Sequence, residues 1–170
     1  MKKLNFGCGK TANYHEFADF YNVDIQTHEK VDKVFDFDKF PYPIKSNIFD
    51  YIWSRSVLEH LREPDKALEE LWRICKNNAI IEIIVPSYNN KSAYAHFQHK
   101  GFFSDATFMN YVRDEDNVNY PNVKKKFEIV YLENVPTHIG KIFPRLIRNK
   151  IAVFINGIVS YVHIKLKVIK

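Results

Sequence analysis

Lys3-Leu4-Asn5-Phe6-Gly7-Cys8-Gly9-Lys10 is the stretch on which the reading of this chain turns. Leu4, Asn5 and Phe6 make a short apolar strand, and Gly7-Cys8-Gly9 follows without a spacer. Two glycines around one small residue let the backbone turn sharply and approach a ligand, since neither carries a Cβ. At the carboxyl end of a first strand, that is the place where an open α/β sheet holds a nucleoside-type ligand.

Working outward, Phe20 to Asp24 (FYNVD) is a second strand that ends on a carboxylate. Following a glycine turn on the preceding strand, Asp24 is placed to accept hydrogen bonds from ribose hydroxyls; a plain strand-end turn aspartate is the alternative. Asp32 to Phe37 (DKVFDF) is a third strand candidate containing Asp36, and Phe40 to Asn47 (FPYPIKSN) is a proline-punctuated loop. Phe49 to Trp53 (FDYIW) is a fourth strand, apolar enough to be covered on both faces. Leu68, Leu71, Trp72 and Cys75 recur at helical spacing behind Pro64, which suits a first turn, and Asn77-Asn78 can supply a left-handed ending. Ala79 to Val85 (AIIEIIV) is then a buried strand. Strand, helix and strand with short links predict a right-handed crossover in a parallel sheet.

The second half is less regular. Ser87 to Gly101 reads as a loop rich in Tyr, Asn and His, and Ser104 caps a helix running to about Val112. Asp114–Asp116 and Lys124–Lys126 are opposite charge runs flanking a surface loop. Phe127 to Leu132 is a strand, and Tyr161 to Ile169 alternates His163, Lys165 and Lys167 with Val162, Ile164, Leu166 and Val168, the pattern of a half-exposed antiparallel strand. Between them, 139–159 combines Ile142, Phe143, Leu146 and Ile147 with Lys141, Arg145, Arg148 and Lys150. It is too short and too charged to span a bilayer, which takes about 20 apolar residues. It reads as a basic helical insertion: an interfacial helix, a substrate lid, or a helix packed on the sheet with snorkelling cations.

The 170 residues, 46% hydrophobic and 26% charged, make one domain at 1–170. Cys8 and Cys75 match neither a zinc spacing nor a disulfide framework, and Met1-Lys2-Lys3 leads into a strand rather than an apolar leader. A cytoplasmic protein is expected. Residues 1–85 carry 12 Lys/Arg against 14 Asp/Glu and residues 86–170 carry 13 against 6, so the halves hold −2 and +7. The basic half suits an anionic acceptor, nucleic acid or a membrane surface, or is simply a solvated face.

Taken in order, LNFGCG, NVDI, DFDKFPYP and FDYIWSRSVLEHL resemble the class I, seven-stranded, Rossmann-like S-adenosylmethionine-dependent methyltransferases, in particular the small methyltransferase-domain (type 11-like) group. The resemblance covers Leu4 to about Tyr88. It implies an α/β, three-layer Rossmann-like sandwich with a mostly parallel sheet and an antiparallel C-terminal strand. It further implies that Gly7, Cys8 and Gly9 pass under the methionine and ribose of S-adenosylmethionine, that Asp24 binds the ribose hydroxyls, and that Asp36 with Phe37 meets the adenine. Ser54 and Arg55 fall beside the methionine moiety, and Glu59-His60 completes the family's helix start. The chain departs from the pattern where Lys10-Thr11-Ala12 replaces a third glycine and where the links from Asp24 to Lys33 and from Asp36 to Phe49 are short for crossover helices.

The residues also argue against a dinucleotide. Pyrophosphate binding wants a third glycine and an acidic residue about 20 positions on; here the glycine is absent, Asp24 comes sooner and Asp36 is a second carboxylate. For methyl transfer, alignment does most of the work and a base is needed only where the nucleophile must lose a proton. His96 and His99 in AHFQHKGFF are the candidates, with His60 third; a structural hydrogen bond is the alternative for each. His96 and His99 stand three apart, but no neighbouring Asp, Glu or Cys completes a metal site, so none is expected. The expected activity is methyl transfer to a small-molecule, sugar or lipid-linked acceptor, with peripheral membrane contact through 139–159. Nucleic-acid methylation is a second reading, and a non-catalytic cofactor-binding partner a third.

Overall fold

The computed structural model describes residues 1–13, 15–113 and 126–170. Asp114–Asp116, Lys124 and Lys125 lie outside the described residues. Among the described residues seven strands form one sheet: β1 (Lys3–Phe6), β2 (Phe20–Asp24), β3 (Lys33–Val34), β4 (Phe49–Arg55), β5 (Cys75–Pro86), β6 (Phe127–Pro136) and β7 (Val159–Val168). Their order is β3-β2-β1-β4-β5-β7-β6. The first five are parallel, and β7 runs antiparallel between β5 and β6. The chain builds outward from β1 to β3 and then returns to place β4 on the other side of β1. That reversal opens a crevice at the carboxyl ends of the strands.

The register explains which residues are core. Leu4, Ile52, Ile81 and Leu166 form one cross-strand row, and Phe6, Ser54, Ile83 and Ile164 form the next on the same face. Helix α1 (Pro64–Ile74) covers this face with Ala67, Leu68, Leu71 and Ile74, an i, i+1, i+4, i+7 stripe. Helix α2 (Asp105–Arg113) lies beside α1, its Tyr111 hydroxyl donating to the Asp65 carbonyl. Both expected helices are present.

The layers are uneven. On the opposite face, Asn22, Asn5, Trp53, Glu82, Lys165 and Tyr131 occupy one row. Its β1–β2 end is covered by 3₁₀ turns at Gly9–Asn13 and His15–Phe17, with Phe17 packed on Phe20 and Trp53. β4 is therefore not covered equally on its two faces as FDYIW suggests: Tyr51 and Trp53 are only half-buried.

Three local features differ from, or add to, the expectation. The third strand shrinks to Lys33–Val34, because after the Phe35 amide pairs with the Asp24 carbonyl the backbone turns at Asp36, whose carboxylate accepts from the Asp38 amide. Phe35, Phe37, Phe40 and Tyr42 gather against each other there, and Phe37 stacks on Phe6. The left-handed residue does occur at Asn78 (φ 64°), but inside β5: α1 passes straight into the strand, and the register slips between Phe49 and Tyr51 to absorb the extra residues as a bulge. The proline loop, finally, is anchored, since Arg73 donates to the carbonyls of Tyr42 and Ile44 while holding Glu70 at 2.7 Å.

The insertion at 139–159 contains a 3₁₀ turn at Gly140–Ile142 and the seven-residue helix α3 (Arg145–Ile151). Arg148 is buried and donates to the Asn134 carbonyl. Asn89 pins the segment from the other side: its side-chain amide donates to the carbonyls of Ala152 and Ile155, and its carbonyl accepts from the Gly157 amide. The outer side stays exposed, with Leu146 at 81% and Phe154 at 88%. Among the described residues no helix is long and apolar enough to cross a membrane.

Candidate functional site

The crevice at the ends of β1, β2 and β4 holds a cavity of about 240 Å³ lined by Gly7, Asp24, Asp36, Phe37, Val57 and His60, among others. That is near the lower end of small-molecule sites, roughly 300–1,000 Å³. An elongated ligand would extend past it.

The glycine turn is built for close approach. Gly7 has φ 73°, and a Cβ placed on it would lie 2.2 Å from Val57 Cγ2. The amides of Gly7 and Cys8 both donate to the Val23 carbonyl at 3.0 Å, locking the turn to β2. Gly9 has φ 46°, and a Cβ there would meet no atom within 4 Å, so its backbone borders open space. Its amide donates to Asp24 Oδ2 at 2.7 Å, and the Gln26 amide donates to Asp24 Oδ1 at 2.9 Å. Asp24 therefore stitches turn and strand end together. Each carboxylate oxygen has a second lone pair, which leaves acceptor capacity for ribose hydroxyls. Asp36 lines the cavity with a partly exposed carboxylate, and Phe37 beside it stacks one ring face on Phe6 at 4.0 Å. Burial and the nearby Asp24 charge push the Cys8 thiol up to about 11, so it is a protonated packing residue and no nucleophile.

Of the other expected residues, Cys8 is buried and Gly9 flanks the turn without lining the cavity, and Ser54 and Arg55 sit elsewhere. Ser54 points into the core in the row of Phe6 and Ile83, with its hydroxyl buried and unpartnered among the described residues. Arg55 is exposed, its guanidinium 5.6 Å from the Tyr161 ring. The cavity instead takes Ser56, at φ 54°, and Val57. Strand alternation accounts for the difference, because β4 runs to Arg55 and the chain turns towards the crevice only after it. Asp38 and Lys100 also line the wall, paired at 3.6 Å. The SRSVLEHL motif contained the signal for Ser56 and Val57, whereas nothing local marks Lys100.

Lys100 arrives through the backbone. The amides of Lys100 and Gly101 both donate to the Glu59 carbonyl, at 2.7 and 3.1 Å, fastening the loop after β5 onto the 3₁₀ turn Leu58–His60. This brings the three candidate histidines together: the His60 and His99 rings are 4.7 Å apart and those of His96 and His99 5.3 Å apart. His60 lines the cavity and His96 is exposed. Burial, then the charge of His99, lowers the pKa of His60, keeping its imidazole neutral near pH 7. His99 Nδ1 lies 2.8 Å from the Ala93 carbonyl and donates to it. Beneath them Glu59 is 1% exposed, and neither of its carboxylate oxygens has a hydrogen-bond partner at bonding geometry among the described residues. Burial raises its pKa, outweighing its own amide, His99 and the Ser56 hydroxyl nearby. The loop was thus expected to lack an acidic neighbour, and the fold supplies one from a distant motif.

Residues 4–83 match a family described as "Methyltransferase domain". Over these residues, just under half of the chain, it is similar to methyltransferase domains, and the whole chain has the Rossmann-like fold of the S-adenosylmethionine-dependent methyltransferases; S-adenosylmethionine is the cofactor that this similarity implies. It is similar to an S-adenosylmethionine-dependent methyltransferase from Archaeoglobus fulgidus, at 16% identity and a TM-score of 0.64 over 98% of this chain and 85% of that one. It is also similar to a Haloferax volcanii protein in complex with the Trm112 methyltransferase activator, at 13% identity and 0.62 over 98% and 81%. The [4+2]-cyclase SpnF matches at 15% identity and 0.61 over 98% and 73%, so this fold serves more than one reaction. A search of curated proteins gives no match.

Proposed function

We propose that the protein transfers the methyl group of S-adenosylmethionine to a small-molecule, sugar or lipid-linked acceptor at the histidine rim of the cavity. The observation that carries this reading is the joint placement of the Gly7 turn, Asp24 and Asp36 on one wall and His60 on another. Bound S-adenosylmethionine supplies an electrophilic methyl on a sulfonium, which leaves as a neutral thioether and needs no acid. Gly7 and Gly9 let the backbone lie against the cofactor, Asp24 accepts from the ribose and Asp36 from the adenine amine. Neutral His60, or exposed His96, takes a proton from the acceptor where its nucleophile carries one.

The lipid-linked class is favoured by 139–159, where exposed Ile142, Leu146, Val153 and Phe154 stand beside Lys141, Arg145 and Lys150. A cytoplasmic protein touching a membrane surface would use such a face. Nucleic-acid methylation has less support, because the basic second half permits it but the sequence contains no NPPY-like base-methylation motif. The non-catalytic reading keeps some support from the turn lacking a third glycine.

Calorimetry of S-adenosylmethionine binding to wild type and Asp24→Ala tests the core of the proposal. Binding weakened at least about 10-fold in the variant supports it, and a folded wild type that does not bind sinks it. Release of S-adenosylhomocysteine from a panel of acceptors then separates the substrate classes.

A further inference from the structure

We propose that Glu59, His60 and His99 form a binding site for one divalent transition-metal ion, with zinc as the natural probe, at the rim of the cofactor cavity. One ligand atom from each lies within 4.8 Å of the other two. Two tetrahedral ligands at about 2.1 Å from zinc stand roughly 3.4 Å apart, so the cluster closes on an ion by contracting on the order of 1 Å. Rotation of side chains that are already adjacent suffices for that.

The donor chemistry points the same way. A buried carboxylate with both oxygens unpartnered is costly to keep unless something meets it. A cation bridging it to two imidazoles answers that cost directly. His99 donates Nδ1–H to the Ala93 carbonyl, which fixes the tautomer and leaves the Nε2 lone pair for ligation. Backbone carbonyls holding the far nitrogens of ligating imidazoles are the usual outer support of a metal centre. The hydrogen bonds from the Lys100 and Gly101 amides to the Glu59 carbonyl hold the two contributing segments in register before any ion arrives. Two imidazoles and one carboxylate suit zinc, cobalt or ferrous iron rather than magnesium or calcium, which prefer all-oxygen shells.

Three protein ligands leave at least one position open. Because His60 lines the cavity, that position lies at its rim, where an acceptor hydroxyl could coordinate and lose its proton more readily. This last assignment rests on the methyltransferase reading; the site itself does not.

The experiment uses the untagged full chain after chelator treatment and dialysis, titrated with Zn²⁺ by calorimetry and with Co²⁺ by visible absorption, without S-adenosylmethionine. One equivalent should bind, with ligand-field bands from Co²⁺. Glu59→Gln and His99→Gln should each weaken binding at least 10-fold, the lower bound for loss of even a supporting group. If Glu59→Gln fails to fold, His99→Gln, in a loop, carries the test alone. His163→Gln, remote from the cluster, should bind as wild type does. Absence of stoichiometric binding to folded wild type, or binding unchanged in His99→Gln, overturns the site. Asp24→Ala should lose S-adenosylmethionine and keep the metal, so failure of the metal site and failure of the methyltransferase reading give different results.

Discussion

Two regions around the cavity each bury a carboxylate, and they treat it in opposite ways. At the glycine turn, Asp24 meets backbone amides with both oxygens, at 2.7 and 2.9 Å. At the histidine rim, Glu59 is more deeply buried and meets no partner at bonding geometry among the described residues. A carboxylate held by two amides is part of the scaffold that also faces a ligand, whereas one without a protein partner calls for an explanation of its own. The cofactor wall is therefore already organised, and the rim is organised in its backbone but not in its charges. Substitutions on the two sides should fail differently.

The largest effect belongs to Gly7→Ala. A Cβ at φ 73° costs about 1–2 kcal/mol in backbone strain. The 2.2 Å approach to Val57 Cγ2 adds an overpacking term of about 1–3 kcal/mol. Thermal unfolding should register a loss of roughly 2–5 kcal/mol, and S-adenosylmethionine should give no heat at concentrations that saturate wild type. Combining it with Val57→Ala should recover the overpacking part of stability and leave the strain. Full recovery would mean that the turn tolerates a side chain and that the cofactor wall is looser than described.

Asp24→Ala comes next. Removing a charged acceptor from two amides and from the ribose should weaken S-adenosylmethionine binding about 10- to 100-fold by calorimetry, matching the roughly 1.5–3 kcal/mol of a hydrogen bond to a charged group. It should also lower the melting temperature, since the Gly9 and Gln26 amides lose their acceptor. An effect on affinity with no effect on melting would break the comparison, because Asp24 would then be no scaffold.

A third carboxylate, Glu82, serves as the saturated reference on the opposite face. Burial pushes its pKa up, but hydrogen bonds from Tyr51, Lys165 and His163 outweigh burial and leave it below the ordinary value of 4.5. A depressed carboxylate stabilises the fold fully above the unfolded pKa and loses that contribution as pH falls through the folded one. Wild type should therefore lose melting temperature below about pH 4.5 more steeply than Glu82→Gln. Parallel acid limbs would show that the Glu82 cluster contributes no linkage.

How far each region was legible in the sequence follows the same division. LNFGCG and NVDI specify their own geometry, because strand, glycine turn and strand-end carboxylate are local and each constrains the next. The alternation of Tyr161 to Ile169 likewise predicted a half-buried antiparallel strand, and β7 has it. Asp36 was read as part of a strand because DKVFDF looks extended; its turn depends on a side-chain hydrogen bond that spacing does not reveal. Ser54 illustrates a different limit. Its motif position is right beside the site, but one residue of strand alternation decides between core and cavity. The rim was the least legible part, because Glu59 and His99 meet only through the Lys100 and Gly101 amides, a contact across 40 positions that no local pattern encodes.

The smallest effect expected in the absence of metal is that of Glu59→Gln, and it is the sharpest test of the contrast. Glutamine keeps the shape and removes the acid, and no hydrogen bond at bonding geometry is lost with it. Its stability in chelator should stay within about 1 kcal/mol of wild type, the range where partners on neither side are broken. Wild type should then gain melting temperature as Zn²⁺ is added, by mass action on the folded state, while Glu59→Gln should not. A large loss in chelator would mean that Glu59 already has a structural partner, and the two carboxylates would then be the same kind of residue after all.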